Sequence, residues 1–256
     1  MHTDDIDMNN VVVVYMTSTT ITSRIDEDAP QLPFAITNNP EAKQQIMYSI
    51  KRSAYQYDIY NDIIQLSFLW NNMFVHNLFC GTLKSTIVEP SNEHRIITVA
   101  NTEQDMLRNA AAYINSVYQE TADGIPCTPK LFAGWKLTSI NWPHLINKMF
   151  AYDIPLPTSL YANLLYKYPR TDILLDLSNI YTQSSTAYMR HLPALADALK
   201  YWGYRGTQTK DRYALPETII KNVCDAPITA ACDVEVYMKD MYDVLCRYYR
   251  KGNNER

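Results

Sequence analysis

A continuous β-branched run near the start of the chain constrains the fold more than any other stretch. Val11 to Met16 reads VVVVYM, with no alternation between apolar and polar residues. A strand with one face in water alternates in this way, whereas a strand buried on both faces does not. We therefore predict a central strand at Val11–Met16 in a sheet that has helices packed on it.

Further strand-like segments provide neighbours for this strand. Asn71 and Asn72, which tolerate left-handed backbone, separate two β-like runs at Ile63–Trp70 and Phe74–Leu83, and this pattern predicts a hairpin. Additional strands are predicted at Ile96–Ala100, Leu131–Ala133 and Ile173–Leu177.

Helices are predicted between and after these strands. One begins at Thr102 and reaches about Tyr118, and another follows a turn at Gly134, with its apolar residues at Ile140, Leu145, Met149 and Phe150. Others are predicted at Glu41–Tyr55, at His191–Trp202 with Gly203 as the C-terminal cap, and from Asp225 and Pro227 to about Tyr249. Long surface connections are expected at Thr17–Ile36 and Arg205–Tyr213. The mixture predicts an α/β or α+β mixed sheet.

Length and composition indicate one globular domain. The 256 residues are 47% hydrophobic and 20% charged, which favours a single domain at 11–249 between a flexible N-terminus, 1–10, and a basic tail, 250–256. No window is apolar for long enough to span a membrane, and the first residues are acidic rather than leader-like. We therefore expect an intracellular, cytoplasmic protein with no membrane partner.

The cysteines predict neither disulfides nor a zinc site. Their number is odd, and no two of them form a CxxC pair. Buried free thiols are the expected state of Cys80, Cys127, Cys224, Cys232 and Cys246.

Charge and glycine content restrict the ligands. A net charge of −4 gives no general attraction for nucleic acid, so such binding would need a local basic patch. The six glycines do not have the spacing of a phosphate-binding loop. A nucleotide cofactor held by such a loop is not expected.

Four stretches, in their order along the chain, resemble a known family. They are GWKLTSINWPHLINKMFAYDIPLP (134–157), DILLDLSNIY (172–181), HLPALADALKYWG (191–203) and ACDVEVYMKDMYDVL (231–245). The chain from Val11 to about Tyr249 resembles the 3'-5' exonuclease domain of the DEDD superfamily, and is most similar to the predicted exonucleases related to the proofreading domain of family B DNA polymerases. This resemblance implies a ribonuclease-H-like α/β fold, with a mixed β-sheet flanked by helices.

The chemistry that the resemblance implies is two-metal phosphodiester hydrolysis. Four carboxylates hold two Mg²⁺ ions, and a Tyr or His orients the attacking water. The first motif of this family, Asp-x-Glu, falls on Tyr15 and Thr17, and the second-motif Asp falls on Asn141. The last-motif Asp is matched by Asp233, but the preceding Tyr falls on Thr229 and the alternative His on Ile228.

Three of the four metal-binding acids are therefore replaced. The resemblance then implies a protein that is not an enzyme, holds no cofactor, and acts as a nucleic-acid-binding or protein-interaction module. A shifted register that uses Asp26, Glu27 or Asp28 would instead restore a Mg²⁺- or Mn²⁺-dependent exonuclease. A structural or assembly protein is the third possibility, since the many tyrosines suit a protein–protein surface.

Two acids and one lysine have both a functional and an ordinary interpretation. Asp233 and Asp176 form a residual single-metal site if the fold brings them together, and otherwise Asp233 is a surface residue of a helix. Lys136, in the turn after Gly134, either contacts a phosphate of the substrate or is simply solvated.

Aromatic and basic residues offer candidates for binding single-stranded DNA or RNA. Trp135 and Trp142 either stack on bases or belong to the core. Arg247, Arg250 and Lys251, beside two tyrosines, either hold nucleic acid or a protein partner, or complement the dipole at the end of the last helix.

Overall fold

The structure, a computed structural model, describes residues 6–20, 40–42, 44–45, 61–80, 86–88, 94–118, 131–157, 174–184, 193–204 and 223–254. Seven strands in this part of the chain form one sheet: β1 (Val11–Thr20), β2 (Asn61–Trp70), β3 (Met73–Phe79), β4 (Thr86–Val88), β5 (Arg95–Ala100), β6 (Leu131–Gly134) and β7 (Leu174–Asp176). Their order across the sheet is β4-β5-β3-β2-β1-β6-β7. Strands β1, β3, β5, β6 and β7 run in one direction, and β2 and β4 run in the other.

Helices in the described residues flank this sheet: α1 (Glu103–Tyr118), α2 (Trp142–Ala151), α3 (Leu177–Ser184), α4 (Leu195–Tyr201) and α5 (Pro227–Asn254). Val12 and Val14 pack with α1 and α2, on what we call the first face of the sheet. Val11 and Val13 pack with α3, α4 and α5, on the second face. Alternate side chains of β1 therefore enter two separate cores, which confirms the predicted mixed α/β sheet and its doubly buried central strand.

The central strand is longer than predicted. It pairs with β2 as far as Thr20, so the residues after Met16 belong to the strand rather than to the expected connection. The rest of that connection, including Asp26, Glu27 and Asp28, lies outside the described residues.

The hairpin is confirmed by its turn. Asn71 and Asn72 have φ angles of 50° and 59°, which is the left-handed backbone that their side chains tolerate. Trp70 pairs with Met73 across this turn. Strand β3 ends at Phe79, and the residues that would extend it to Leu83 are outside the described part of the chain.

Helix α1 begins at the predicted cap. The Asp105 backbone N–H donates to Thr102 Oγ1 at 3.0 Å, and the Thr102 hydroxyl donates to Asp105 Oδ2 at 2.8 Å. Its predicted apolar face is buried at Met106, Ala110, Ile114 and Val117.

The connection from β6 to α2 is tighter than a simple turn. A Cβ at Gly134 would lie 2.8 Å from the Val14 carbonyl oxygen, so glycine allows β6 to approach β1. Lys136 has a φ of 51°, and a π-helical turn at Leu137–Asn141 precedes α2. Phe150, predicted on the apolar side of this helix, is 59% exposed.

The last three helices depart from the predicted boundaries. Leu177, predicted to end β7, already begins α3. Helix α4 ends as predicted at Gly203, whose φ is 87°, and Tyr204 N donates to Leu199 O at 3.0 Å. Helix α5 continues to Asn254, so residues 250–254 of the expected basic tail are helical.

Residues 6–10, expected to be frayed, are held against the sheet. Asp7 accepts from Asn9 N at the start of a short 3-10 turn at Met8–Asn10, and Trp70 Nε1 donates to Asn9 O at 2.9 Å. Ile6 and Met8 pack on the core of the second face.

The prediction of free thiols is wrong for two cysteines. Cys80, after β3, and Cys224, before α5, form a disulfide with a Cα–Cα distance of 5.3 Å. The two residues are 144 positions apart, so no local spacing could have revealed the bond. Cys232 and Cys246 are free and half-buried, and Cys127 lies outside the described residues.

Some predicted segments can be followed only in part. Residues 40–42 and 44–45 are helical, but the remainder of the Glu41–Tyr55 helix and all of the Arg205–Tyr213 loop are outside the described ranges. None of the described helices is long and apolar enough to cross a membrane.

Candidate functional site

The position that the resemblance assigns to the first metal-binding motif is filled by an aromatic stack. Tyr15, on the second face of β1, stacks on Tyr237 of α5 with ring centroids 6.0 Å apart and an interplanar angle of 13°. Burial raises the pKa of Tyr15, although a hydrogen bond with the Thr17 side chain lowers it in part. The site therefore holds a neutral phenol at pH 7, where the family has a carboxylate.

The last motif does not bring an acid to this point. Asp233 and Thr229 are exposed on α5, whereas Tyr237, one helical turn after Asp233, is buried against β1. The residue of the final helix that lies over Tyr15 is thus a tyrosine.

Asn141, at the second motif, holds the turn in which it lies. Its Nδ2 donates to the Trp135 carbonyl oxygen at 2.8 Å, and this bond closes the π-helical segment from inside. The Asn141 side chain therefore stabilises the connection between β6 and α2.

Asp176 joins three elements at the end of β7. Its Oδ2 accepts from the backbone N and the hydroxyl of Thr138, at 2.9 and 2.8 Å, and its Oδ1 accepts from the backbone N and the hydroxyl of Ser178, at 2.9 and 2.6 Å. Four protein donors therefore occupy this buried carboxylate, which caps α3.

The donor sets do not fit a pair of Mg²⁺ ions. Within the ranges that the structure describes, no group of three or more His, Cys, Asp or Glu side chains is arranged to hold a metal ion. A residual site at Asp176 and Asp233 stays a prediction, with Asp176 already satisfied by Thr138 and Ser178.

Both candidate stacking tryptophans are buried. Trp135 is 7% exposed. Its ring packs edge-on against the rings of Tyr181 and Trp202, with centroids 5.9 and 6.2 Å away. Trp142 packs on Phe132, at 5.3 Å, in the core of the first face. Their positions match the core interpretation rather than an open stacking surface. Lys136, next to Trp135, is half-exposed in its left-handed turn.

The basic end of α5 lies in mixed electrostatic surroundings. The Arg247 guanidinium lies 4.6 Å from the centre of the Tyr204 ring. Burial raises the pKa of Tyr204, as do the nearby charges of Asp243 and Asp240, whereas the charge of Arg247 lowers it. Arg250 and Lys251 follow in the same helix.

A buried polar network on the second face was not predicted from the sequence. Ser67 Oγ lies 2.9 Å from His76 Nδ1, and His76 Nε2 lies 3.3 Å from Glu235 Oε1. Arg95 donates to Glu235 through Nε and, at 2.9 Å, through Nη2. Ser67 and His76 are fully buried, so this Ser–His–Glu arrangement is closed to substrates.

The pKa values within this network follow from burial and from Arg95. Burial lowers the pKa of His76 to about 4, against the opposing charge of Glu235, so the imidazole is neutral at pH 7. Burial alone would raise the pKa of Glu235, but the hydrogen bonds and charge of Arg95 lower it overall.

The network reaches solvent through a groove beside α5. This groove has a volume of about 640 Å³ and is lined by Leu69, Asn72, Phe74, His94, Arg95, Glu235, Lys239, Tyr242 and Asp243. A second cavity of about 210 Å³ shares Leu69, Asn72 and Tyr242 with it. Lys239 Nζ lies 5.2 Å from the centre of the Phe74 ring. The groove lies at the hairpin end of the sheet, where the sequence contains no motif that marks a site.

Comparison of the sequence with known protein families and with curated proteins finds no match.

Proposed function

We propose that this chain is a non-catalytic protein of the exonuclease fold that acts as a protein-interaction module. The observation that carries the proposal is the Tyr15–Tyr237 stack, which fills the position of the first metal-binding acid with two neutral rings.

The strand order supports the finer fold assignment. Three consecutive antiparallel strands, β1 to β3, lie on one side of the sheet, and β6 and β7 are added in parallel on the other side of β1. This order is compatible with a ribonuclease-H-like fold, with β4 and β5 added beyond β3. Because such a fold hosts many functions, the activity must be argued from the site.

The site argues against metal-dependent hydrolysis. Mg²⁺ requires anionic oxygen ligands, and Tyr15, Thr17 and Asn141 supply none at neutral pH. Asp233, the acid retained at the last motif, is exposed, while Tyr237 takes the place over β1. We therefore propose no catalytic step.

The surface favours a protein partner over nucleic acid. Trp135 and Trp142 are buried, and the exposed side of α5 carries Asp233 and Asp243 beside Lys239 and Arg247, so it is not a purely basic surface. Acidic groups oppose the phosphate contacts on which nucleic-acid affinity rests. The groove beside α5 combines charged and aromatic side chains, as protein interfaces do.

A nuclease assay tests the non-catalytic part of the proposal. Purified protein incubated with labelled single-stranded DNA and Mg²⁺ or Mn²⁺ is expected to release no nucleotides. Metal-dependent release that is lost in Asp233→Ala would overturn the proposal and support the exonuclease with a shifted register.

A binding titration tests the choice of partner. Fluorescence anisotropy with single-stranded DNA and RNA at several salt concentrations is expected to show no binding at physiological salt. Binding that weakens steeply with salt, and that falls in Arg247→Gln but not in Lys136→Gln, would instead place nucleic acid at the end of α5.

The cytoplasmic location expected from the sequence needs a test of its own. A stable disulfide is typical of oxidising compartments, so the Cys80–Cys224 bond favours such a compartment. Trapping thiols in intact cells by alkylation, followed by peptide mapping, measures whether the two cysteines are oxidised there.

A further inference from the structure

A lysine and two carboxylates lie together inside the first face of the sheet. Asp62 is near the start of β2, Glu103 is the first residue of α1, and Lys148 is in the last turn of α2. Their exposed fractions are 0%, 3% and 5%. Lys148 Nζ lies 3.1 Å from Asp62 Oδ1 and 3.0 Å from Glu103 Oε2.

Glu103 is held in place from several sides. The Ile63 backbone N–H donates to its Oε1 at 2.6 Å, and the Tyr152 hydroxyl donates to its Oε2 at 2.5 Å. The same oxygen thus meets both the phenol and the Lys148 ammonium, while Ile63 and Met149 of the adjoining segments are fully buried.

Among the described residues, two carboxylates contact one ammonium in this buried site. Burying charge away from water is costly. Burial, and next the charge of Asp62, raise the pKa of Glu103 against the opposing effects of Lys148 and Tyr152. A carboxyl group that keeps a proton here reduces that cost.

We propose that Lys148 and Asp62 form an intramolecular amide bond, an isopeptide bond, with Glu103 as the general acid–base catalyst. Within the contact pair, Lys148 Nζ passes one proton to the Asp62 carboxylate and then attacks Cγ of the resulting carboxyl group. The Nζ–Cγ bond forms, a Cγ–O bond breaks, and the oxygen leaves as water. Glu103 takes a proton from Nζ and returns one to the departing hydroxyl, so it ends in its starting state and no oxidant or co-reactant is required.

The geometry favours this reaction in three ways. Lys148 Nζ already contacts the Asp62 carboxyl group, 3.1 Å from Oδ1, so the two reacting groups are held together by the fold. The contact is shielded from water, and a desolvated lysine amine is a nucleophile. Glu103 touches the reacting nitrogen directly, as a proton carrier must.

The product would tie together distant parts of the chain. Asp62 and Lys148 are 86 positions apart. The bond would therefore join α2 to the start of β2 and close the chain between them into a loop. Shortening the unfolded chain in this way stabilises the folded state, as a disulfide does.

Intact-mass measurement of the purified full chain tests the proposal directly. The protein is reduced before measurement, because the Cys80–Cys224 bond accounts for two hydrogens. The expected mass is that of the sequence minus one water. Trypsin should then yield residues 53–84 joined to residues 137–167, uncut at Lys148. A full sequence mass, in protein that unfolds cooperatively, would overturn the proposal.

Two variants separate the bond from its catalyst. Glu103→Gln keeps the shape but not the proton transfer, so it is expected to keep the full sequence mass and to give residues 53–84, 137–148 and 149–167 as separate peptides. Lys148→Arg keeps the positive charge and cannot form the amide, so it should also have its full mass. A water lost from the Arg variant would overturn the proposal, and full bond formation in Glu103→Gln would overturn the role of Glu103. If either variant fails to fold, the mass of the natural chain still decides.

Discussion

The two faces of the sheet bury ionisable groups in different ways. On the first face, Lys148 lies between Asp62 and Glu103, and all three are shielded from water. On the second face, Glu235 lies between Arg95 and His76, and Arg95 borders the groove beside α5. Among the described residues, two carboxylates therefore contact one cation in a closed site on the first face. On the second face, one carboxylate contacts one guanidinium and a neutral imidazole at a site that borders the groove.

This difference determines where protons are held. The closed network raises the pKa of Glu103, whereas the open one lowers the pKa of Glu235 and keeps His76 neutral. Burial acts on both networks, but only in the second does the guanidinium of Arg95 outweigh it for the carboxylate. Burial alone therefore does not predict the charge state of an acid in this fold.

Removing the cation of the closed network should have the largest effect. Compared with Lys148→Arg, which keeps the cation and cannot form the amide bond, Lys148→Met leaves two carboxylates buried together, and we expect it to lower the free energy of unfolding by about 3–5 kcal/mol. Urea unfolding measures this loss. The double variant Lys148→Met with Glu103→Gln should recover part of it, because one excess charge is removed. A loss below about 1 kcal/mol would show that water reaches the cluster.

Reducing the disulfide should have the next largest effect. The Cys80–Cys224 bond fastens the start of α5 to β3, and opening it is expected to cost about 2–4 kcal/mol. Urea unfolding with and without dithiothreitol measures the change. Cys232→Ser is the matched control, since it alters a thiol on the same helix and should leave the response to reduction intact. Insensitivity of the natural chain to reduction would contradict the bond.

Breaking the open network should cost less than breaking the closed one. Glu235→Gln removes the charge that Arg95 and His76 share, and we expect a loss of about 1.5–3 kcal/mol, as for hydrogen bonds to charged groups. Arg95 can then be hydrated from the groove, which Lys148 cannot. A loss as large as that of Lys148→Met in the same urea assay would remove the distinction between the two faces.

The sequence predicts the sheet better than it predicts either network. A run such as Val11–Met16 carries its own signal, since strand periodicity is local, and the Asn71–Asn72 turn is equally local. Each network, in contrast, joins residues that are far apart, such as His76 and Glu235 at 159 positions. Its members are recognisable only after the sheet order and the path of α5 are known.

The exonuclease-like site shows the same limit. The sequence places Tyr15 and Asn141 at family positions, but it does not show that Tyr237 rather than Asp233 lies over β1. It also suggests Trp135 as a stacking surface, because a buried and an exposed tryptophan look alike without tertiary contacts. The disulfide between Cys80 and Cys224 was missed for the same reason.

The smallest expected effect is the change in the free energy of unfolding per pH unit. It compares the two faces of the sheet directly, because each face buries a group whose pKa is shifted on folding. His76, in contact with Ser67 and Glu235, has its pKa lowered from 6.5 to about 4, so between these values the unfolded chain binds a proton that the folded chain does not. Stability should therefore fall as the pH is lowered from 6.5 towards 4, by up to about 1.4 kcal/mol per unit. Glu103 changes the stability in the opposite direction. Its pKa in the folded chain is raised above 4.5, so its contribution to the free energy of unfolding is full below that value and is lost as the pH rises.

Urea unfolding across this pH range separates the two contributions. His76→Gln keeps hydrogen-bonding capacity without a titrating ring, so the loss of stability at lower pH should disappear and the opposite slope of Glu103 should remain. Glu103→Gln removes the opposing carboxyl group, so its stability should fall more steeply than that of the natural chain as the pH is lowered from 6.5. Arg95 and Glu235 remain in both variants, so neither change removes the residues of this network that line the groove beside α5. Equal slopes in all three proteins would mean that neither buried group titrates differently on folding, and the contrast between the faces would then be one of packing alone.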